Sequence, residues 1–245
     1  MNLIDTHFHL DLFSKPTEVL RVLEEKKVYS IAVTNLPDVF DNCYNLLANS
    51  KYVRPALGYH PELSGTFDNK IEIFKHNIKK TRYIGEVGLD FSRQYDESNR
   101  KKQVYIFRQI LDLCIEEKNK ILTIHSRKSE KTVIDMVSNN FPGIIILHWY
   151  TGNIQEAKRG LDNGFYFSFN LSMIKSIKGQ KLIKYIPKDR ILTETDSPFT
   201  TNANDFNSFQ KLEKLHHEID FIFNKKEEKL KSREIVYENF KSILG

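Results

Sequence analysis

Cysteine is scarce in this chain. There are two in 245 residues, Cys43 and Cys114, far apart and without a CxxC pair. That leaves no disulfide framework and predicts two buried thiols in a reduced, cytoplasmic protein. Long apolar runs are missing too; the longest, such as 144–147, are far too short to span a bilayer, so no membrane association is expected. The start, Met1-Asn2-Leu3-Ile4-Asp5, has no basic stretch with an apolar one behind it, which predicts no secretory signal. Internal repeats, low-complexity tracts and Gly/Ser-rich linkers are likewise absent, and one domain over 1–245 is the simplest organisation. Charge is not strongly of one sign. A formal +5 suits a polyanionic partner, although surface lysines alone produce it.

What the sequence does have is alternation. Short apolar runs at 3–9, 28–34, 52–59, 83–89, 121–125, 143–148, 165–169 and 191–196 read as strands. Segments with helical spacing separate them, at 16–27, 37–50, 68–80, 97–118, 128–140, 153–163 and 174–185. Further helices are expected at about 208–224 and 232–244. The strands are continuously apolar rather than alternating, as in a parallel sheet covered by helices. Eight such units predict an α/β fold, a (β/α)8 TIM barrel with extra C-terminal helices from about 208 to 245. The mixed-sign run Asn224-Lys225-Lys226-Glu227-Glu228-Lys229 reads as a solvated join between the last two helices.

Polar residues recur at one end of these strands. Strand alternation puts Asp5, His7, His9 and Asp11 on one side of the first. His7 and His9 end strand one, His60 follows strand three, and Glu86 lies on strand four. His125, His148 and Asp196 end strands five, six and eight. A lone H-x-H recurs by chance. Six strands delivering titratable groups to the catalytic end of a barrel do not. Packing five histidines and two carboxylates together without a counter-charge would cost several kcal/mol per unpaired buried charge. A divalent ion supplies that charge, so the set predicts metal binding. The remaining histidines, His76, His216 and His217, fall in helical segments and read as surface residues.

Six motifs occur in order along the chain: Asp5-Thr6-His7-Phe8-His9-Leu10-Asp11, Gly58-Tyr59-His60-Pro61, Gly85-Glu86-Val87-Gly88-Leu89-Asp90, Ile124-His125-Ser126-Arg127, His148-Trp149-Tyr150-Thr151-Gly152 and Glu194-Thr195-Asp196-Ser197-Pro198. Together they resemble, in order and spacing, the TatD-like metal-dependent hydrolases, barrel enzymes of the amidohydrolase superfamily, many of which are DNases. The resemblance runs from residue 3 to about 199. It implies two divalent ions: His7, His9 and Asp196 hold one, His125 and His148 the other, and Glu86 bridges both. Family members are described as using Mg²⁺ or Mn²⁺, and the histidine content also suits Zn²⁺. The resemblance further implies a 3′-to-5′ exodeoxyribonuclease. The compact length and motif variants look like the TatD-type nucleases of the Qat antiphage systems, where protein partners and a role in antiviral defence would follow.

Three stretches depart from the family pattern. Trp149-Tyr150-Thr151-Gly152 stands where Cys-Phe-Ser-Gly is common, and Glu62 where another histidine is frequent. The residues after Pro198 lack the usual Arg and Asn-x-Pro.

The chemistry expected is attack by a metal-bridged hydroxide on phosphorus, with Asp196 accepting the proton and Glu86 serving as the shared ligand. Arg127 would contact a phosphate oxygen. His60 and Ser126 would line the substrate side, with His60 alternatively holding a third ion with Glu62. Trp149 and Tyr150 would stack on an exposed base, favouring single-stranded DNA or 3′ ends. The same hydroxide attacks carbonyl carbon as readily, which leaves ester or amide hydrolysis, such as D-aminoacyl-tRNA deacylation, as an alternative, with RNA or tRNA as partner. A non-enzymatic subunit docking through the helices from Ser208 onward is a third.

Overall fold

The computed structural model describes residues 1–66, 69–93, 96–137, 141–223 and 231–245. The apolar runs form the strands: β1 Ile4–Phe8, β2 Tyr29–Val33, β3 Val53–Leu57, β4 Tyr83–Gly88, β5 Ile121–His125, β6 Ile144–Leu147, β7 Tyr166–Phe169 and β8 Ile191–Thr193. They make one eight-stranded sheet in chain order, and the pairs with assigned register are parallel. Parallel neighbours require crossovers. These are α1 Pro16–Lys26, α2 Phe40–Leu46, α3 Pro61–Thr66, α4 Ile71–Asn77, α5 Glu97–Glu117, α6 Glu130–Met136, α7 Ile154–Asp162, α8 Leu171–Lys175 and α9 Ile177–Tyr185, with α10 Gln210–Phe223 and α11 Ser232–Leu244 after the last strand. β8 returns to β1: the Thr6 hydroxyl donates to the Thr193 carbonyl at 3.1 Å, and the Thr193 hydroxyl to that of Ile4 at 2.7 Å. The architecture is the (β/α)8 barrel that the alternation predicts.

Two compact units divide the described residues, one of 1–32, 49–54 and 167–245, the other of 33–48 and 55–166. In the first, Asn239 Nδ2 donates to the carbonyls of Lys188 and Ile191, both at 2.8 Å, and so ties α11 to the start of β8. The buried stripe of α10 is Leu212, Leu215, His216, Ile219 and Ile222. His216 is therefore a core residue and not the surface residue expected; it occupies an i, i+4 position of an apolar stripe. In the second unit, the Lys120 ammonium donates to the carbonyls of Ile78 and Thr81 at 2.7 and 2.9 Å, closing the turn into β4. Both cysteines are buried. Among the described residues, no helix is long and apolar enough to cross a membrane.

Two predicted helices differ at their starts or are interrupted. A 3-10 turn, Pro37–Val39, precedes α2. Ser176 separates α8 from α9, its hydroxyl accepting the Gly179 N–H at 2.9 Å as an N-cap. The charge run 224–229 lies outside the described residues.

Two strands slip in register at chemically important places. Against β2, β1 slips between Asp5 and Phe8; against β5, β4 slips between Ile84 and Val87. Such irregularities re-aim the neighbouring side chains, which here include His7 and Glu86. The simple alternation of the first strand ends there. His7 and His9 are fully buried, whereas Asp11 is exposed and does not share their environment.

Candidate metal centre

In the first unit, the Nε2 atoms of His7 and His9 lie 3.8 and 3.5 Å from Asp196 Oδ1. These separations exceed a good hydrogen bond. The His9 separation matches, and the His7 separation slightly exceeds, the gap of roughly 3–3.5 Å between two donors that each sit about 2.1 Å from one ion. One donor atom from each of the three residues falls within 4.8 Å of the others. Backbone contacts fix the arrangement. The Asp196 N–H donates to the His7 carbonyl at 2.9 Å, and the His9 N–H to that of Ser197 at 2.8 Å.

Beneath this turn, Asp5 accepts the Thr195 N–H at 2.9 Å, the Thr195 hydroxyl at 2.7 Å and the His7 N–H at 3.3 Å. Burial drives its carboxyl up to about 7 against those hydrogen bonds. Asp196 itself has φ 49°, a left-handed conformation that aspartate tolerates better than most residues. Asp5 thus sets the residue before Asp196, a role the motif alone did not assign.

In the second unit, Glu86 Oε1 is the common partner. His125 Nδ1 is 2.7 Å away, His148 Nε2 3.4 Å and His60 Nε2 3.5 Å. Close strand approach makes this possible. Gly88 has φ 133°, and a Cβ there would stand 2.1 Å from the His125 carbonyl oxygen. The other nitrogen of His125, Nε2, is 2.7 Å from Asp90 Oδ2. Asp90 is held in turn by the Ser92 N–H at 2.8 Å and the Ser92 hydroxyl at 2.6 Å. A carboxylate on Nε2 fixes the ring so that Nδ1 is the nitrogen offered to an ion, the usual carboxylate–histidine–metal arrangement. Burial favours the neutral His125 ring, yet the hydrogen bonds to Asp90 and Glu86 push it up to about 10. The same pairing holds the Asp90 carboxyl well below the usual range, against the opposing effect of burial. An imidazolium here occupies the electrostatic place of a cation.

His60 differs. Its Nδ1 accepts the Glu62 N–H at 3.2 Å, so the proton of the neutral ring resides on Nε2, the atom facing Glu86. One donor atom of His60 also falls within 4.8 Å of donors from Glu86 and His125, so the ring belongs to this second cluster. Glu62 is paired with Arg93 at 2.9 Å, which argues against the third-ion alternative.

The donor sets fit divalent ions. His7, His9 and Asp196 would hold one, and Glu86, His125 and His148 would serve a second. The family model described as TatD related DNase matches residues 4–245. This chain belongs to that family. A Buchnera aphidicola protein described as an uncharacterized metal-dependent hydrolase is 36% identical over 216 residues, 81% of this chain and 79% of the relative. The human protein named deoxyribonuclease TATDN3 is 30% identical over 217 residues, 81% of this chain and 78% of its own. The crystal structure of YJJV, a TatD homologue from Escherichia coli, superposes with a TM-score of 0.79 at 19% identity, covering 98% of this chain and 97% of that one. The protein is a TatD-family metal-dependent hydrolase, and its His/Glu/Asp clusters could hold metal.

The other predicted residues of this TatD family member separate into rim and interior. Arg127 is exposed, its carbonyl accepting the Phe91 N–H at 3.0 Å. Ser126 is buried. Trp149 is half-buried, its ring 6.4 Å from that of His148 at 89°. Tyr150 is not a stacking residue. Its side chain is 1% exposed and its hydroxyl donates to the Asn153 carbonyl at 2.8 Å. A Cβ at Gly152 would lie 2.2 Å from that hydroxyl. The Trp-Tyr-Thr-Gly motif therefore packs a loop, and a ring enclosed on both faces has none to offer a base.

Proposed function

We propose that the protein is a divalent-metal-dependent deoxyribonuclease acting on single strands from their 3′ ends. The observation that carries this reading is the first cluster, two fully buried imidazoles at metal-sized distances from one carboxylate. The naming of the human relative as a deoxyribonuclease supports DNA as substrate, and the 3′ polarity rests on the family resemblance.

Two ions, Mg²⁺ or Mn²⁺ with Zn²⁺ as a further fit, would lower the pKa of a water and neutralise charge on the phosphodiester. Glu86 contributes the charge shared by the donors of the second cluster, and by the family resemblance it would serve both ions. Asp196 accepts the proton of the attacking water. His60 donates Nε2–H toward the leaving oxygen, and Arg127 meets a non-bridging oxygen with its guanidinium. Trp149 and Ser126 belong to the substrate side. The resemblance to Qat nucleases extends the proposal to antiphage defence with protein partners, tested by whether Asp196→Ala abolishes protection from phage.

The biochemical test incubates the protein with Mn²⁺ and end-labelled single-stranded DNA, duplex DNA, RNA and aminoacylated tRNA. Release of mononucleotides from the 3′ end of single-stranded DNA is expected. Deacylation of tRNA with the DNA left intact would overturn the assignment in favour of carboxyl-ester hydrolysis.

A further inference from the structure

Phe199 stands three residues beyond Asp196 and is 64% exposed. Scattered exposed apolar residues are ordinary on protein surfaces. This one is set apart by its neighbours. Its ring centroid lies 5.0 Å from that of the ligand His9, at an interplanar angle of 86°. The turn beneath is anchored at several points. Its Thr200 N–H donates to the Asp196 carbonyl at 3.3 Å, the Thr200 hydroxyl to the Thr195 carbonyl at 2.6 Å, and the Thr201 N–H to the Pro198 carbonyl at 3.0 Å. Lys211 Nζ bonds the Thr200 carbonyl from α10. A large ring is thus held open to solvent by polar contacts on the backbone around it, edge-to-face with a metal-site imidazole.

We infer that Phe199 is the stacking platform for the base of the nucleotide whose phosphodiester is cut. The inference rests on the reading of the protein as a nuclease. It moves the expected aromatic contact from the loop after β6 to the loop after β8. Every base has a π-face, so such a platform seats a terminal nucleotide without reading its identity. His9 fixes the ring against rotation, and the anchored turn keeps it near Asp196.

The first measurement uses metal-free protein and an oligonucleotide with 2-aminopurine at its 3′ end. Stacking on Phe199 is expected to quench the fluorescence. Phe199→Ala is expected to abolish the quenching and weaken binding by about 5- to 100-fold, and Phe199→Leu, which keeps apolar contact with His9, to behave the same way. Phe199→Tyr should restore both. Tyr105→Ala, which removes a 59% exposed ring on α5, should change neither. In Mn²⁺, Phe199→Leu should raise KM by the binding factor while leaving kcat within about twofold, and should have no effect on an oligonucleotide with an abasic 3′ nucleotide. Wild-type quenching and KM in Phe199→Leu, or equal losses on normal and abasic substrates, would overturn the inference. Failure of the nuclease reading looks different, because the unsubstituted protein would then cleave no DNA in Mn²⁺.

Discussion

Two histidines of this protein, one half-buried and one buried, experience opposite fates. His125, at the end of β5, lies 2.7 Å from Glu86 and 2.7 Å from Asp90, and those partners overcome burial to raise its pKa to about 10. His216, on α10, donates from Nδ1 to the Ser232 hydroxyl at 2.9 Å, while that hydroxyl donates to the His216 carbonyl at 3.2 Å. Its Nε2 is buried with no hydrogen-bond acceptor among the described residues. Burial dominates there and lowers the pKa to about 4, with Asp220 opposing and Arg233 assisting. Burial alone therefore says little about the charge of an imidazole; what faces its second nitrogen decides. In one region a positive charge is demanded, and a metal can supply it. In the other a neutral ring fills a core.

The most severe way to break the contrast is Glu86→Gln, which strips the shared negative charge from the second cluster. Loss of several kcal/mol of transition-state stabilisation predicts a fall in kcat/KM of about 10³-fold or more, measured on single-stranded DNA with Mn²⁺. The His125 ring should titrate closer to its ordinary value in the same variant, followed by NMR of the metal-free protein. Near-normal turnover would remove Glu86 from the metal site.

At His216 the opposite sign applies. Its folded pKa lies below the unfolded 6.5, so the unfolded chain binds the proton first as pH falls. Stability attributable to this residue is complete above pH 6.5 and declines toward pH 4, by roughly 3 kcal/mol at most. Urea unfolding across that range should show the decline, and His216→Gln should flatten it. An unchanged slope in the variant would mean that other groups govern acid sensitivity.

Asp90→Asn sharpens the comparison by leaving His125 its ligand atom but weakening its orientation. Metal affinity should fall by about 10- to 100-fold, as for other partners of metal-bound histidines. The measurement is calorimetric titration with Mn²⁺. A variant that binds as tightly as wild type would show that the Asp90 contact fixes the loop after β4 and not the ligand.

The strands and the histidines and carboxylates that gather into the two clusters were legible in the sequence because each rests on a local signal. An apolar run bounded by turn residues marks a strand, and a histidine or carboxylate at its end marks the barrel mouth. What escaped depends on distant partners. Asp90 and Asp5 are orienting groups whose meaning comes from His125, Thr195 and His7 across the sheet. Tyr150 sits beside a ligand in sequence yet turns inward onto Gly152. The helix α3, Pro-Glu-Leu-Ser-Gly-Thr, is too short to show a period and contains residues typical of turns. His216 was within reach: Leu212, Leu215, His216 and Ile219 follow the i, i+3, i+4, i+7 spacing of a buried face.

Arg127 carries the smallest expected effect and tests whether charge outside the buried cluster matters. Two residues along from His125, it is exposed, so solvent screens whatever its guanidinium does. If it meets a phosphate, Arg127→Ala should weaken DNA binding about 3- to 10-fold, uniformly across sequences, and reduce the slope of log affinity against log salt by about 1. Binding isotherms of metal-free protein at several salt concentrations measure both. A sequence-dependent loss, or an unchanged salt slope, would make Arg127 a surface residue that happens to follow a ligand. The metal-facing histidines owe their character to enclosed carboxylates, whereas Arg127 can act only through the substrate that approaches it.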